Sequence, residues 1–546
     1  VPATFDDGST TKTVEGVGTY TVAADGTVTF VPEKSFTGKA PAVTVVREDK
    51  NGTKASATYT PTVTPVKPTA APAESTDVQG ATQIGKPVFT EGDSRVPMND
   101  AVPATFDDGS TTKTVEGVGK FTVAADGTVT FVPEPSFTGT ASAVTVVRED
   151  MNGTKASATY TPTVTPTTIS PTNKVSEDVQ NVPQTQTPTF ELSNDKATKI
   201  TSKKLVNPVT GQPTDETSVK VAGEGTYTID PTTGAVTFTP EKDFVGTTQG
   251  VTVQATATIT NANGKTATIT SDATYTPTVV AAVPTANPAT SKDVQGATQT
   301  GTPTFAGTTV QVNGEDKAIT IKDNSYTLLD KEGNEVSSTP AYAADGTTEI
   351  GTYSIDSATG QVTFTPTDKS YTGVVTPAKV QAESSNGIKV DTTYTPEIVP
   401  VTPTATPAET TDIQGATQTG KPEFKGGTVT VDGVEKTVAI NEAVPATFDD
   451  GSTTKTVDGV GTYTVAADGT VTFVPEKSFV GTAPAVTVVR EDKNGTKASA
   501  TYTPTVTPVT PTATPVETTD IQGATQTGKP VFTEGDSRVP MNDDVP

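Results

Sequence analysis

The segment from Val1 to Pro65 returns at Val102 to Pro166, an offset of 101 residues, and again at Val444 to Pro508, where only Glu15, Thr37 and Lys39 give way to Asp458, Val480 and Thr482. Repetition of this fidelity marks recent duplication and constrains the fold more than any other feature, because every copy must bury its own core by the same rules. Two further copies are longer and more diverged. They carry GTYTIDPTTGAVTFTPEKDFVGT (Gly225 to Thr247) and GTYSIDSATGQVTFTPTDKSYTGV (Gly351 to Val374).

Two markers alternate strictly along the chain. A leader reads DVQGATQ at Asp77 and Asp293, DIQGATQ at Asp412 and Asp520, and DVQNVPQ at Asp178; a YTP tail lies between each leader and the next, as at Tyr275 to Pro277 and Tyr394 to Pro396. Between tail and next leader lies a Pro/Thr stretch such as Thr60 to Thr76 or Thr503 to Thr519. Pro at such density favours extended, polyproline-like backbone, which is expected to act as a stiff spacer and not as a central strand. Cutting within these stretches gives repeats at 67–166, 167–282, 283–400 and 401–508, with the tail part of a repeat at 1–66 and the head part of another at 509–546. The closing MNDDVP meets the opening VPATFDD in register, and no charged-then-apolar leader or initiator Met precedes Val1, so the chain reads as a piece of a longer protein.

Within a repeat the period is two. Tyr20 and Val22 alternate with Thr19 and Thr21, and after Ala23-Ala24-Asp25-Gly26 the pattern resumes with Val28 and Phe30 against Thr27 and Thr29, which is a β-hairpin. A second pair runs through Val43 and Val45, turns at Asn51-Gly52 and returns through Ala55, Ala57 and Tyr59, with Phe36 between the pairs expected to tuck under the sheet. Val88-Phe89 and the Phe106 to Gly109 turn add further strands, and no segment carries a helical period. Short strands with turn signals at intervals of about ten residues read as an all-β fold: a tandem array of immunoglobulin-like antiparallel β-sandwich repeats joined by Pro/Thr-rich linkers.

Composition narrows function. The chain has no Cys, His or Trp, which removes Ser-His-Asp triads, Cys nucleophiles, structural zinc sites and haem ligation. A net charge of -25 argues against nucleic acid and anionic lipid as partners, and no apolar run is long enough to insert into a membrane. Paired carboxylates for glycoside hydrolysis need a cleft between them that small sandwiches lack. No catalytic residue and no cofactor is therefore expected.

Three groups of residues remain as candidates. Glu48-Asp49-Lys50-Asn51-Gly52 sets two carboxylates and an amide on one turn, making Asp49 and Asn51 calcium candidates; calcium takes about six to eight oxygens and one such turn supplies about three, so an ordinary Asn-Gly turn is the simpler reading. The Asp6-Asp7-Gly8 turn and Asp77, near a repeat junction, are weighed the same way. Gln79 and Gln83 beside Thr-rich strands, and the recurring Lys12 and Lys54, are candidates for intramolecular cross-links of the Lys–Asn or Thr–Gln kind.

At GTYTV..DGTVTFVPEKSFTG, AVTVVREDKNGTKASATYTPTV and DVQGATQTGKPVF the chain resembles the CshA-type fibril repeats of streptococcal cell-wall-anchored surface adhesins, over essentially its whole length. The resemblance implies an extracellular fibril whose repeats form a stalk projecting a separate binding head from the cell wall, supporting adhesion and biofilm formation. It also implies that host or bacterial ligands are met by regions outside these residues. The family's secretion signal and LPxTG motif are not among them. Near-identical repeats also offer one face many times, so weak self-association between stalks gains by multivalency. Two other readings stay open: repeats that themselves bind a host glycoprotein or glycan, for which exposed aromatics on a strand face would speak, and a largely disordered Thr/Pro linker.

Overall fold

The computed structural model describes residues 1–544 and contains strands, turns and no helix among them. The chain divides into two compact units, Val1–Ala281 and Ala282–Pro546. Each unit holds two complete β-sandwiches, and the same pair of sheets recurs in all four.

The second repeat shows the plan. Its first sheet sets a leader strand, Ala73–Val78, beside the tail strand Lys155–Thr165, followed by Val144–Glu149 and Thr105–Phe106. Its second sheet runs Gln83–Gly85, Val129–Pro133, Gly119–Val123 and Thr112–Val115. Both expected hairpins form in the expected register, with Phe121 opposite Phe131 and Val146 opposite Ala158. The alternation read from sequence becomes alternating burial along the tail strand, which packs Tyr160 and Val164 against Phe106, Phe121, Phe131 and Val146 in one core. The aromatic between the pairs, Phe137 here and Phe36 in the first copy, packs on that core.

The leader lies parallel to its own tail strand, Ala73 opposite Tyr160 and Val78 opposite Thr165. The third, fourth and fifth repeats do the same with Lys174–Val179 beside Thr266–Val280, Ala289–Val294 beside Lys389–Val399, and Ala408–Ile413 beside Lys497–Thr507. Alongside the antiparallel hairpins, each sandwich thus has one parallel pair joining its first sheet strand to its last.

That pairing corrects the expectation that the Pro/Thr stretch is a stiff spacer outside the sheets. Most of Thr60 to Thr76 is spent on strands at Thr62–Val63, Thr69–Ala71 and Ala73–Val78, and after the second repeat only residues 166–168 separate the tail strand from the next strand at Ile169. Pro162 itself sits inside a doubly paired strand. Its carbonyl accepts from Ala141 N–H at 2.9 Å, so its nitrogen faces the same side, where the neighbouring strand is only Gly139–Thr140; the donor that Pro lacks is missing where the ladder is shortest.

The extra residues of the diverged repeats extend the same plan. Around Lys196 to Ala222 they build Thr198–Leu205, a long strand with a register shift between Ile200 and Ser202. Between Gly307 and Ile350 the fourth repeat forms the hairpin of Thr308–Val312 with Glu315–Ile319, matched in the fifth by Gly427–Val431 with Val434–Val438, and adds Glu335–Val336 as an edge strand.

Candidate functional site

The residues singled out from sequence are held by local bonds. Asp49 Oδ1 accepts the N–H of Asn51 at 2.9 Å and of Thr53 at 2.8 Å, so the carboxylate closes its own turn, and Asn51 is exposed. Asp7 accepts the hydroxyl and N–H of Ser9, which together with Lys12 hold its carboxyl down at about 2. Lys12 pairs with Asp6 at 2.7 Å and Asp7 at 3.2 Å and lies over the Phe5 ring; Lys113 and Lys455 repeat the arrangement in the other near-identical copies. Lys54 is exposed on its strand. Among the described residues no three Asp or Glu side chains converge on a point that would hold a metal ion.

Gln83 belongs to a buried network that the sequence reading missed. Its Oε1 accepts from Ser75 Oγ at 2.5 Å, its Nε2 donates to Thr163 O at 2.9 Å, and Ser75 Oγ lies 2.6 Å from Tyr160 OH. A serine hydroxyl has one proton, which goes to Gln83, so the tyrosine donates to the serine. The network recurs as Ser176–Gln184–Tyr275, Ser291–Gln299–Tyr394 and Thr410–Gln418–Tyr502. It joins leader, tail strand and the opposite sheet. Burial pushes the Tyr160, Tyr275, Tyr394 and Tyr502 hydroxyls up, keeping them protonated donors. The signal was present in sequence: a hydroxyl residue stands eight positions before the last Gln of each of these leaders.

Gly85 shows how closely the network is packed. A Cβ there would lie 2.0 Å from the Tyr160 ring, and at Gly420 it would lie 2.1 Å from Tyr502. Gly leaves that space to the ring in these repeats, whereas the third repeat forms the same network with Gln186 at the matching place.

Gln79 and Asp77 work at the exit of the repeat. Gln79 Nε2 donates to Pro135 O at 2.8 Å while its Oε1 accepts the N–H of Thr167, pinning the short connection to the next repeat; Gln295 does the same with Ser370 O and Val401 N–H, and Gln414 with Lys477 O and Val509 N–H. Asp77 pairs with Lys196 of the following repeat. Burial pushes its carboxyl up, but Lys196 and the Val78 N–H outweigh this and hold it below the usual range.

What this geometry can do is mechanical: hydroxyls, amides and ion pairs tie strands and repeats together. It defines a tandem array of immunoglobulin-like β-sandwiches. The family model for the surface adhesin CshA repetitive domain matches residues 1–63, 65–164, 166–279, 281–398, 400–506 and 508–546, and the chain belongs to that family of adhesin repeats, which are parts of extracellular surface proteins. No curated protein matches the chain. Among solved structures, the human desmocollin-1 ectodomain is 13% identical and covers 89% of this chain and 89% of its own, with a TM-score of 0.21. Protocadherin gamma B2 cadherin domains 1–5 are 10% identical over 92% of this chain and 93% of that one, at 0.27, and Sidekick-1 immunoglobulin domains 1–5 are 11% identical over 93% and 92%, at 0.19. Among the described residues no helix is long and apolar enough to cross a membrane.

Proposed function

We propose that these residues are a load-bearing, non-catalytic length of stalk in a cell-wall-anchored fibrillar adhesin, extending a binding head away from the cell and supporting adhesion and biofilm formation. The repeats act as modules near 67–166, 167–282, 283–400 and 401–508. The observation that carries this reading is the parallel leader–tail pair. The chain enters a repeat at the Ala73 end of that pair and leaves at the Thr165 end, opposite Val78. Tension therefore slides the two strands along their length. All the bonds of the ladder and the Ser75–Gln83–Tyr160 network load together, instead of opening one at a time as in a peeled hairpin. Shear of this kind resists forced unfolding by raising the barrier, which is the quantity a tether needs.

The placement of the aromatics supports a structural role over a ligand-binding face. Tyr20, Tyr160, Tyr227, Tyr275, Tyr353, Tyr394, Tyr463 and Tyr502 are fully buried, so these rings pack cores and are withheld from any strand-face binding surface.

Stretching single molecules of the full chain between its ends tests the proposal. One high-force rupture for each complete repeat is expected. Smooth extension at low force would sink the load-bearing role. Scattering from arrays of increasing repeat number provides the second check, since maximum dimension that fails to grow by one module per repeat is incompatible with a stalk.

A further inference from the structure

The junctions between repeats carry a second set of contacts. In Val1–Ala281, Lys196 of the third repeat pairs with leader residue Asp77 of the second, Asn261 Nδ2 donates to Pro133 O at 2.8 Å, and Lys265 Nζ lies 2.6 Å from Glu134. In Ala282–Pro546, Lys436 of the fifth repeat lies 3.4 Å from leader residue Asp293 of the fourth, Asn494 Nδ2 donates to Gln295 O at 2.6 Å, and Gln295 Nε2 donates to Thr496 Oγ1 at 3.0 Å. Arg538 closes the same pairing 2.8 Å from leader residue Asp412.

The parts correspond. Each time a leader Asp receives a cation from the repeat that follows. At the first two junctions, the Asn-Gly turn of the following repeat, at 261–264 and 492–495, reaches back to a carbonyl of the preceding one. This is the turn that suggested calcium at Asp49 and Asn51. In the third repeat Asn261 takes the position of Asp49: its Oδ1 still closes the turn on the N–H groups of Asn263 and Lys265, and its amide is left to donate across the junction.

The leader glycine is fitted to this contact. Gly80 has φ +81°, and a Cβ there would lie 2.7 Å from Ile259 Cγ2 and 3.2 Å from Ala197 Cβ of the next repeat; at Gly296, φ +78°, it would lie 2.2 Å from Asn494 Oδ1. Gly415 has the same backbone, φ +79°, with nothing within 4 Å.

We propose that the leader loop Asp-Val/Ile-Gln-Gly is a docking surface for the next repeat, and that the leader Asp, its Gly and the facing cation and Asn-Gly turn form a latch that fixes the orientation of consecutive repeats. The partner it fits is another repeat carrying a basic side chain in the segment before its Asn-Gly turn, as at Lys196 and Lys436. The latch is separate from the load-bearing reading: it concerns the angle between neighbours, and would hold in an array that never bears force.

The chain has no Cys, so paired thiols can be introduced without interference. Spin labels on Lys120→Cys and Lys242→Cys, both exposed, report the distance between second and third repeats in the full chain. The parent is expected to give a narrow distance distribution. Asp77→Asn and Gly80→Ala should each lose it, the exchange Asp77→Lys with Lys196→Asp should regain it, and Gly415→Ala, which carries the same backbone strain, should leave it narrow. Hydrogen exchange of the tail strands at 155–165 and 266–280, unchanged across the set, shows that the repeats themselves remain folded. A parent distribution as broad as that of the variants, or one that stays narrow in both Asp77→Asn and Gly80→Ala, overturns the latch.

Discussion

Residues 1–66 and the matching parts of the second and fifth repeats have nearly the same sequence and different structures. In the first, strand Lys54–Tyr59 is exposed throughout, Tyr59 is 37% exposed, and Val28, Val45, Ala57 and Tyr59 line an open groove. In the others the strand runs unbroken through 155–165 and 497–507, alternate residues are buried, and Tyr160 and Tyr502 are fully enclosed. Asp49 is exposed, whereas Asp150 and Asp492 at its position are buried. The chief difference among the described residues is strand pairing: Ala73–Val78 lies along Tyr160–Thr165 and Ala408–Ile413 along Tyr502–Thr507, whereas Lys54–Tyr59 pairs with Val43–Glu48 alone. The tail hairpin supplies a surface, and the leader converts it into a core.

Removing what the leader encloses breaks the comparison most severely. Tyr160→Ala should destabilise the second repeat by about 3–5 kcal/mol, the range for deleting a large core aromatic. Hydrogen exchange of peptides covering 155–165 should then accelerate toward the rates of 54–63, while 497–507 stays protected. Equal protection in all three segments before mutation would show that the leader contributes nothing to the tail strand.

Gly85→Val tests the same contact from the other side. Its Cβ falls 2.0 Å from the Tyr160 ring, so the tyrosine must move, at a cost of about 1–3 kcal/mol. Ser75→Ala leaves Tyr160 OH and Gln83 Oε1 buried without their shared partner, which also costs about 1–3 kcal/mol. Thr410→Ser in the fifth repeat keeps the hydroxyl and should cost less than Thr410→Ala, as read from repeat-resolved exchange.

Alkaline pH probes the enclosed tyrosines together. Burial comes first among the causes that raise Tyr227 and Tyr463 to about 12, against an ordinary value near 10. The unfolded chain thus releases these protons before the folded one does. Their contribution to stability is fully present below pH 10 and is lost as pH rises from about 10 to about 12. Tyrosinate absorbance should appear in two stages, the later coinciding with loss of the strand signal in circular dichroism. A single early rise with structure intact would mean that the rings are solvated.

The hairpins were legible because their partners are close in sequence and alternate apolar with polar residues, as from Tyr20 to Phe30. The leader's partner was not. Residues 73–78 offer little apolar pattern, and Ser75 meets Tyr160 at a separation of 85 residues, so nothing local announces a parallel strand. Pro162 pointed the wrong way, since the rule against Pro in a central strand yields when its nitrogen faces a two-residue neighbour. The junction cations were hidden for another reason. They stand 119, 143 and 126 residues from their Asp, because the intervening loops differ in length, and a contact without fixed spacing leaves no motif. Asp49, Asn51, Asp77, Gln79 and Gln83 stand out as residue types that suit chemistry; the structure shows bonds within or between repeats from the side chains of Asp49, Asp77, Gln79 and Gln83, and from Asn51 its backbone N–H.

One feature is the same in all three copies and sets the floor of the comparison. Lys12, Lys113 and Lys455 each bridge a pair of consecutive aspartates beside a Phe ring, whether or not a leader completes the sandwich. The contact is made entirely within the Phe-Asp-Asp-Gly turn and the strand after it, so leader docking cannot change it. These pairs are water-exposed, where ion pairs contribute little and are screened by salt. Lys12→Met, Lys113→Met and Lys455→Met should therefore produce small destabilisations of equal size that vanish at high ionic strength. A clearly larger effect at Lys113 and Lys455 than at Lys12 would show that the leader's influence reaches the far turn, and that the two structures of this sequence differ in more than the tail strand and its core.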